Sequence, residues 1–308
     1  MALLTREEVL DYVAAKQVLY QTELSSIDLS QANLAEGKFP EAYLRSANLM
    51  NAKCQKSDFS RSVLRFANLS GANFSNAILT KAELNSATLT AANLKEVKAT
   101  KLKLFGANID SLEAPLALLT DADLRESKGT GCNFSGANLE RVKLIKASLP
   151  KSNFSQSKLV KAIASYADFS QGIFANTDLK KADFSNSNLK QADFKKASAI
   201  DAEFSNANFA EADLSFAELI EAKLANCVFT ATKLTNTSFL SGDLEGAIFT
   251  NMSLQETILQ GVNLEHTRWN NVDFANCDVD NAVFTNAEGL TEQQKQWLKQ
   301  NGALNVPD

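Results

Sequence analysis

A single histidine, His266, serves all 308 residues, so a histidine-based triad or proton relay would rest on one side chain. Cysteine is also sparse, with only Cys54, Cys132, Cys227 and Cys277. The 12 glycines form no phosphate-cradling loop, and no His, Cys or carboxylate spacing matches a metal site. Catalysis, a cofactor, a metal and a small-molecule substrate are therefore not expected. No apolar run approaches the roughly 18 residues of a membrane helix, so membrane insertion is not expected. Arg6 is followed at once by Glu7, Glu8 and Asp11, which is no secretory leader. These absences predict a cytoplasmic protein, or one exported without a signal peptide.

What the sequence has instead is a period of five. From Leu24 to Phe284 there are 53 positions in steps of five, and 44 of them are Leu or Phe. The exceptions are Cys54, Ala99, Ile109, Ala114, Gly129, Ala164, Ala199, Trp269 and Val279. The residue two places earlier is nearly always small, as in Ala32-Asn33-Leu34, Ala72-Asn73-Phe74 and Ala182-Asp183-Phe184. Five fits neither the 3.6 of a helix nor the 2.0 of a strand, so the chain must turn after each unit. Gly and Asn collect two places after the centre, at Gly71, Gly106, Gly136, Asn76 and Asn186, where a type II turn needs a positive φ. Four such units close a square coil of about 20 residues, with the large and the small residue inside.

With these features the chain resembles the pentapeptide-repeat family, whose repeat is written A(D/N)LXX. The resemblance covers residues 22–287 and implies a right-handed quadrilateral parallel β-helix, here of about 13 coils. At the inter-strand spacing the rod would be on the order of 60 Å long. The expected organisation is a capping segment 1–21, the solenoid 22–287 and a tail 288–308, with the solenoid forming one domain because each coil packs on its neighbours.

Reading every twentieth residue predicts interior columns, one of Leu24, Leu44, Leu64, Leu84, Leu104, Leu124 and Leu144, and another of Phe134, Phe154, Phe174 and Phe194. The four cysteines fall in four different columns at interior positions, which excludes a disulfide between adjacent coils. Over 95–131 large and small residues change places, at Val97 beside Ala99 and Leu112 beside Ala114, Pro115 follows, and Gly129 takes a central position. A kink, bulge or distorted coil is expected there. Asp168, Asp183, Asp193 and Asp213 share their position with Asn33, Asn48 and Asn68, which makes them turn caps rather than catalytic carboxylates.

Thr5-Arg6-Glu7-Glu8 and Thr291-Glu292-Gln293-Gln294 read as capping boxes that open short helices at the two ends. These helices plug the solenoid, or, as the resemblance implies, the C-terminal one pairs two copies through Trp297 and Leu298.

The surface charge is zoned. Residues 1–131 hold 15 cations and 15 carboxylates, 132–200 hold 11 and 5, and 201–290 hold 3 and 14. One corner column reads Arg61, Lys81, Lys101, Asp121, Arg141, Lys161 and Lys181 before turning to Asp201 and Glu221. The six cations are the candidate partner-binding corner, against the plainer reading of a solvated charge run. Asp201, Glu203, Glu211, Asp213, Glu218 and Glu221 are the candidate acidic surface. Phe66, Tyr166 and Phe216 stand at turn positions and are expected on one side or on adjacent sides.

Two functions fit. The first is a non-enzymatic scaffold holding a protein partner on its outer surface. The opening helix leading into Leu24, Leu29 and Leu34 is similar to pentapeptide-repeat segments found with type VI secretion components, which implies a secretion-associated role. The second, implied by resemblance to the pentapeptide-repeat quinolone-resistance proteins, is a DNA-mimicking modulator of a type II topoisomerase such as DNA gyrase. The basic corner opposes a mimic, because it attracts what a mimic should repel, and direct binding of nucleic acid is not expected.

Overall fold

The computed structural model describes residues 4–308. The chain divides into two compact units, Met1–Lys158 and Leu159–Asp308.

In both units the backbone repeats one hydrogen-bond scheme. The N–H of a central residue donates to a carbonyl nineteen residues ahead, as Leu69 does to Asn68's successor in the column, Thr88 (2.7 Å). The N–H of the residue before the centre donates to the preceding coil, as Asn68 does to Ala47 (2.9 Å). The small residue of the next unit closes the turn, as Ala72 N–H does on Leu69 C=O (3.0 Å). The resulting parallel bridges are twenty residues apart, from Val18↔Lys38 to Asn138↔Lys158 in the first unit and from Ile163↔Asp183 to Arg268↔Glu288 in the second. Four pentads per coil follow directly from that register.

Most sides form a single bridge, since a two-residue turn leaves three residues of a pentad between corners. Three sides of the second unit lengthen into strands, β1 (Val228–Thr230), β2 (Ile248–Ser253) and β3 (Arg268–Asp273), paired in parallel in the order β1-β2-β3.

The second residue after each centre has a left-handed backbone, with φ of +64° at Gly71, +59° at Asn76, +60° at Lys81 and +61° at Phe66. Many residue types, polar, charged and aromatic, occupy this position from Gln21 to Asn286, but no β-branched residue does. A branched Cβ clashes most in that region of φ/ψ space. Pro40, Pro115 and Pro150 all stand at the first turn residue, where a type II turn wants the φ that proline already has.

That placement corrects most of the expectation for 95–131. Asn93↔Glu113, Lys98↔Leu118, Lys103↔Asp123 and Asn108↔Lys128 keep the twenty-residue register, so no residue is inserted or lost. Val97, Ala99, Leu112 and Ala114 are all buried, so exchanging large and small moves bulk within the bore without changing its volume. The expectation holds only at the end of the stretch, where the coil is locally irregular: a Cβ on Gly129 would lie 2.7 Å from the Ile109 carbonyl, and Cys132 N–H donates to Ser152 Oγ (3.1 Å), beside a dent of about 330 Å³.

The interior columns form as expected. Leu24 to Leu144 are buried, Phe134 stacks on Phe154 (5.1 Å between centroids), and in the second unit Phe174 stacks on Phe194 (4.7 Å). A further stack runs Phe209, Phe229, Phe249, Trp269, at 5.4, 5.1 and 4.2 Å. The four cysteines are free and buried, and burial pushes the Cys132 thiol up to about 11 and that of Cys277 to about 12.

Both ends are helical. In α1 (Arg6–Ala14) the Thr5 capping box closes as Glu8 N–H donates to Thr5 Oγ1 and Thr5 N–H donates to Glu8 Oε2. In α2 (Glu292–Gln300) Thr291 and Gln294 do the same. The helices also satisfy the open edges of the ladder. Asp28 and Ser30 belong to the first coil, and their carbonyls have no earlier coil to accept from. Arg6 donates to both, at 3.1 and 2.8 Å. At the other end Gln294 Nε2 donates to Val272 C=O at 2.7 Å, the place of a backbone N–H one coil later.

Candidate functional site

A filled bore leaves only the outer columns for chemistry, and these are unequal. In the first unit one face carries the bridged column Glu23, Tyr43, Val63, Glu83, Lys103, Asp123 and Lys143. The turn residues on its two edges complete it. Five of the protein's seven arginines stand here, Arg45, Arg61, Arg65, Arg125 and Arg141, with Lys81, Lys101, Lys103, Lys143 and Lys146. Seven carboxylates are interleaved, Glu23, Glu41, Glu83, Asp121, Asp123, Glu126 and Glu140.

Two arginines lie over aromatic rings, Arg45 over Phe66 (5.5 Å to the centroid) and Arg125 over Phe105 (5.7 Å). Glu83 accepts from Lys103 (2.8 Å) and from Arg65 (2.6 Å), and these hydrogen bonds hold its carboxyl below the usual carboxylate range. Glu41 accepts from Gln21 (2.9 Å), Tyr20 (3.2 Å) and Arg61 (3.3 Å), and its carboxyl is lowered for the same reason.

In the first unit the predicted basic corner, from Arg61 to Arg141, is the edge of this face, and it is not a bare row of cations. Arg61 pairs with Glu41 at 3.3 Å, Arg141 with Asp121 at 2.7 Å and also with Glu140, and in the second unit Lys181 reaches Asp201 at 4.0 Å. The column supplies its own acids one coil away. Lys81, Lys101 and, in the second unit, Lys161 form no ion pair among the described residues.

The six candidate acidic residues are not brought together. Asp201 and Glu221 share one corner of the second unit, while Glu211, ten residues beyond Asp201, stands at the opposite corner. Glu203 lies 3.9 Å from Lys223, Glu211 3.1 Å from Lys190, Asp213 3.1 Å from Lys195, and Glu218 accepts from Ser198. The acids encircle the coil.

Leu298 is fully buried and Trp297 half-buried, 6.3 Å from the Phe274 ring, so α2 spends its apolar side on the last coil. A groove of about 270 Å³ beside Val272, Phe274 and Trp297 remains open. His266 is an exposed corner residue with φ of +56°. Asp168, Asp183, Asp193 and Asp213 accept the N–H two residues on, at 2.9 to 3.1 Å, as turn caps should. The exposed aromatics correct another expectation, since Phe216 lies fifty residues, two and a half coils, beyond Tyr166 and so at the opposite corner.

Reading one corner missed the arginine face, because its pattern appears only when three neighbouring columns are read together. Among the described residues no helix is long and apolar enough to cross a membrane, and no group of His, Cys, Asp or Glu could hold a metal ion.

A family model for pentapeptide repeats matches residues 27–65, 57–96, 117–144, 137–174, 177–215, 212–251 and 253–288. No curated protein matches the chain. Among solved structures, HetL, a pentapeptide-repeat protein involved in heterocyst differentiation regulation from the cyanobacterium Nostoc sp. strain PCC 7120, is 29% identical. That match covers 72% of this chain and 97% of HetL, with a TM-score of 0.46. QnrB1, a plasmid-mediated fluoroquinolone resistance protein, is 19% identical over 69% of this chain and 94% of its own, with a TM-score of 0.44. The chain belongs to the pentapeptide-repeat family.

Proposed function

We propose that the protein is a non-enzymatic, cytoplasmic protein-binding scaffold, built as a right-handed quadrilateral β-helix of about 13 coils that presents its partner-binding groups on the outside. The observation that carries this reading is the concentration of arginines and exposed rings on one face of the first unit, residue types enriched where proteins bind. The unpaired lysines Lys81, Lys101 and Lys161 are the part of the predicted corner free to meet acidic groups of a partner. The terminal helices serve as caps, with Trp297 and Leu298 as cap contacts. The secretion-associated role is one setting for such a scaffold.

The test is partner capture on the immobilised full chain, comparing wild type with Lys81→Glu, Lys101→Glu, Lys161→Glu combined. A partner bound by wild type and lost on the variant supports the scaffold. Recovery of topoisomerase subunits on both baits would establish the DNA mimic instead, a reading favoured by the acids that encircle the second unit.

A further inference from the structure

We infer that the arginine face of the first unit docks an acidic protein segment whose carboxylates alternate with apolar side chains. This rests on the scaffold reading and names the partner's chemistry.

The face offers two kinds of contact within reach of one another. The apolar kind is Tyr20, Tyr43, Phe66 and Phe105, exposed by 56, 44, 54 and 39%. Rings this exposed contribute little to a solenoid whose core is already closed, yet they bury large area when covered. The charged kind is Arg45, Lys81, Lys101 and Lys143, which form no ion pair among the described residues. Arg45 keeps its guanidinium over Phe66, so its donors stay free while its position is fixed. Arg61, Arg65, Arg125 and Arg141 are already held by carboxylates, so ordering them costs a partner little. Apart from Arg6, which belongs to the N-terminal edge, the other faces of this unit carry no arginine.

The same details disfavour nucleic acid. Glu41, Glu83, Asp121 and Asp123 stand among the cations and would face successive phosphates, whereas phosphate binding scales with the charges neutralised. A protein segment can instead place a carboxylate against each free cation and an apolar group against each ring, leaving the interleaved acids paired as they are.

The experiment is selection of a naive short-peptide display library on the full chain. Selected peptides are synthesised and their anisotropy titrated at about 50 and about 500 mM salt, which spans the screening of exposed charges. Three variants are compared: Arg45→Glu with Lys101→Glu, Tyr43→Ala with Phe66→Ala, and Lys53→Glu with Lys95→Glu on another face. The expected result is a consensus of Asp or Glu alternating with Leu, Ile or Phe, salt-sensitive, weakened roughly tenfold or more by either of the first two variants and unchanged by the third. Every altered position is solvent-facing, and a thermal melt confirms that each variant folds. Peptides without acidic residues, equal loss on the third variant, tighter binding of a DNA duplex to the same face, or sedimentation showing a second copy seated there would each overturn the inference. A natural partner captured through a different face would also overturn it, while leaving the scaffold reading intact.

Discussion

Replacing Phe229 tests whether the aromatic column stabilises the second unit. The ring is fully buried and lies between Phe209 (5.4 Å) and Phe249 (5.1 Å), nearly parallel to both, with Phe239 edge-on at 6.2 Å. Removing a buried phenyl costs about 3 to 5 kcal/mol, the larger values where the surroundings cannot collapse. Here the neighbouring coils are pinned at their hydrogen-bonded spacing on both sides, and two stacked pairs are lost as well. Phe229→Ala should therefore fall near the upper end, at about 4 to 5 kcal/mol. Phe229→Leu keeps a residue that most central positions accept, and should cost about 1.5 kcal/mol or less. Chemical denaturation followed by tryptophan fluorescence reads the effect, because Trp269 stacks on Phe249 at 4.2 Å and Trp297 lies on the last coil. The Ala variant should shift the midpoint strongly, and could separate the two units into distinct transitions, since a repeat array loses cooperativity where one interface is weakened. A cost under about 1.5 kcal/mol for Ala, or equal costs for Ala and Leu, would refute the column as a packed stack.

Arg6→Ala leaves the Asp28 and Ser30 carbonyls without their donor and should destabilise the first unit by about 1 to 2 kcal/mol, with hydrogen exchange rising first in the opening coil. Asp183→Ala should cost about 1 kcal/mol because Ser185 N–H loses its acceptor, and Asp183→Asn should restore nearly all of it; a loss with Asn as large as with Ala would require the charge itself. The Glu83 carboxyl titrates below its ordinary value of 4.5 in the folded state, so its stabilising pairs with Lys103 and Arg65 are complete above that pH and lost as pH falls through the lowered value. Glu83→Gln should flatten that part of the acid unfolding profile. Lys101→Val, a β-branched residue where φ is +60°, should be destabilising although the side chain is exposed, whereas Lys101→Gly should be neutral or slightly stabilising.

Ala207-Asn208-Phe209 and its many copies carry their own instructions. The alternation of small, polar and large sets which residue points inward, and a polar side chain such as Asn208 closes onto the N–H two residues later at 3.0 Å. These interactions span only a few residues, so pattern alone determined the twenty-residue coil, the left-handed corners, the interior columns and both capping boxes. It misjudged 95–131 up to Gly129, because Pro115 looks like a breaker until its place in the turn is known, and because exchanged Val97 and Ala99 look like disorder until both prove to face the same bore.

The partners of individual surface groups were decided only by the tertiary structure. Arg61 finds Glu41 and Arg141 finds Asp121 across a full coil, and Arg6 reaches carbonyls more than twenty residues away. A column of letters shows which residues are neighbours, yet not which rotamers meet, which acids neutralise which bases, or which rings stay uncovered. Backbone periodicity is a local property that sequence repeats can encode. The pattern of free and paired groups on a face emerges only when coils stack and long side chains choose among several neighbours at once.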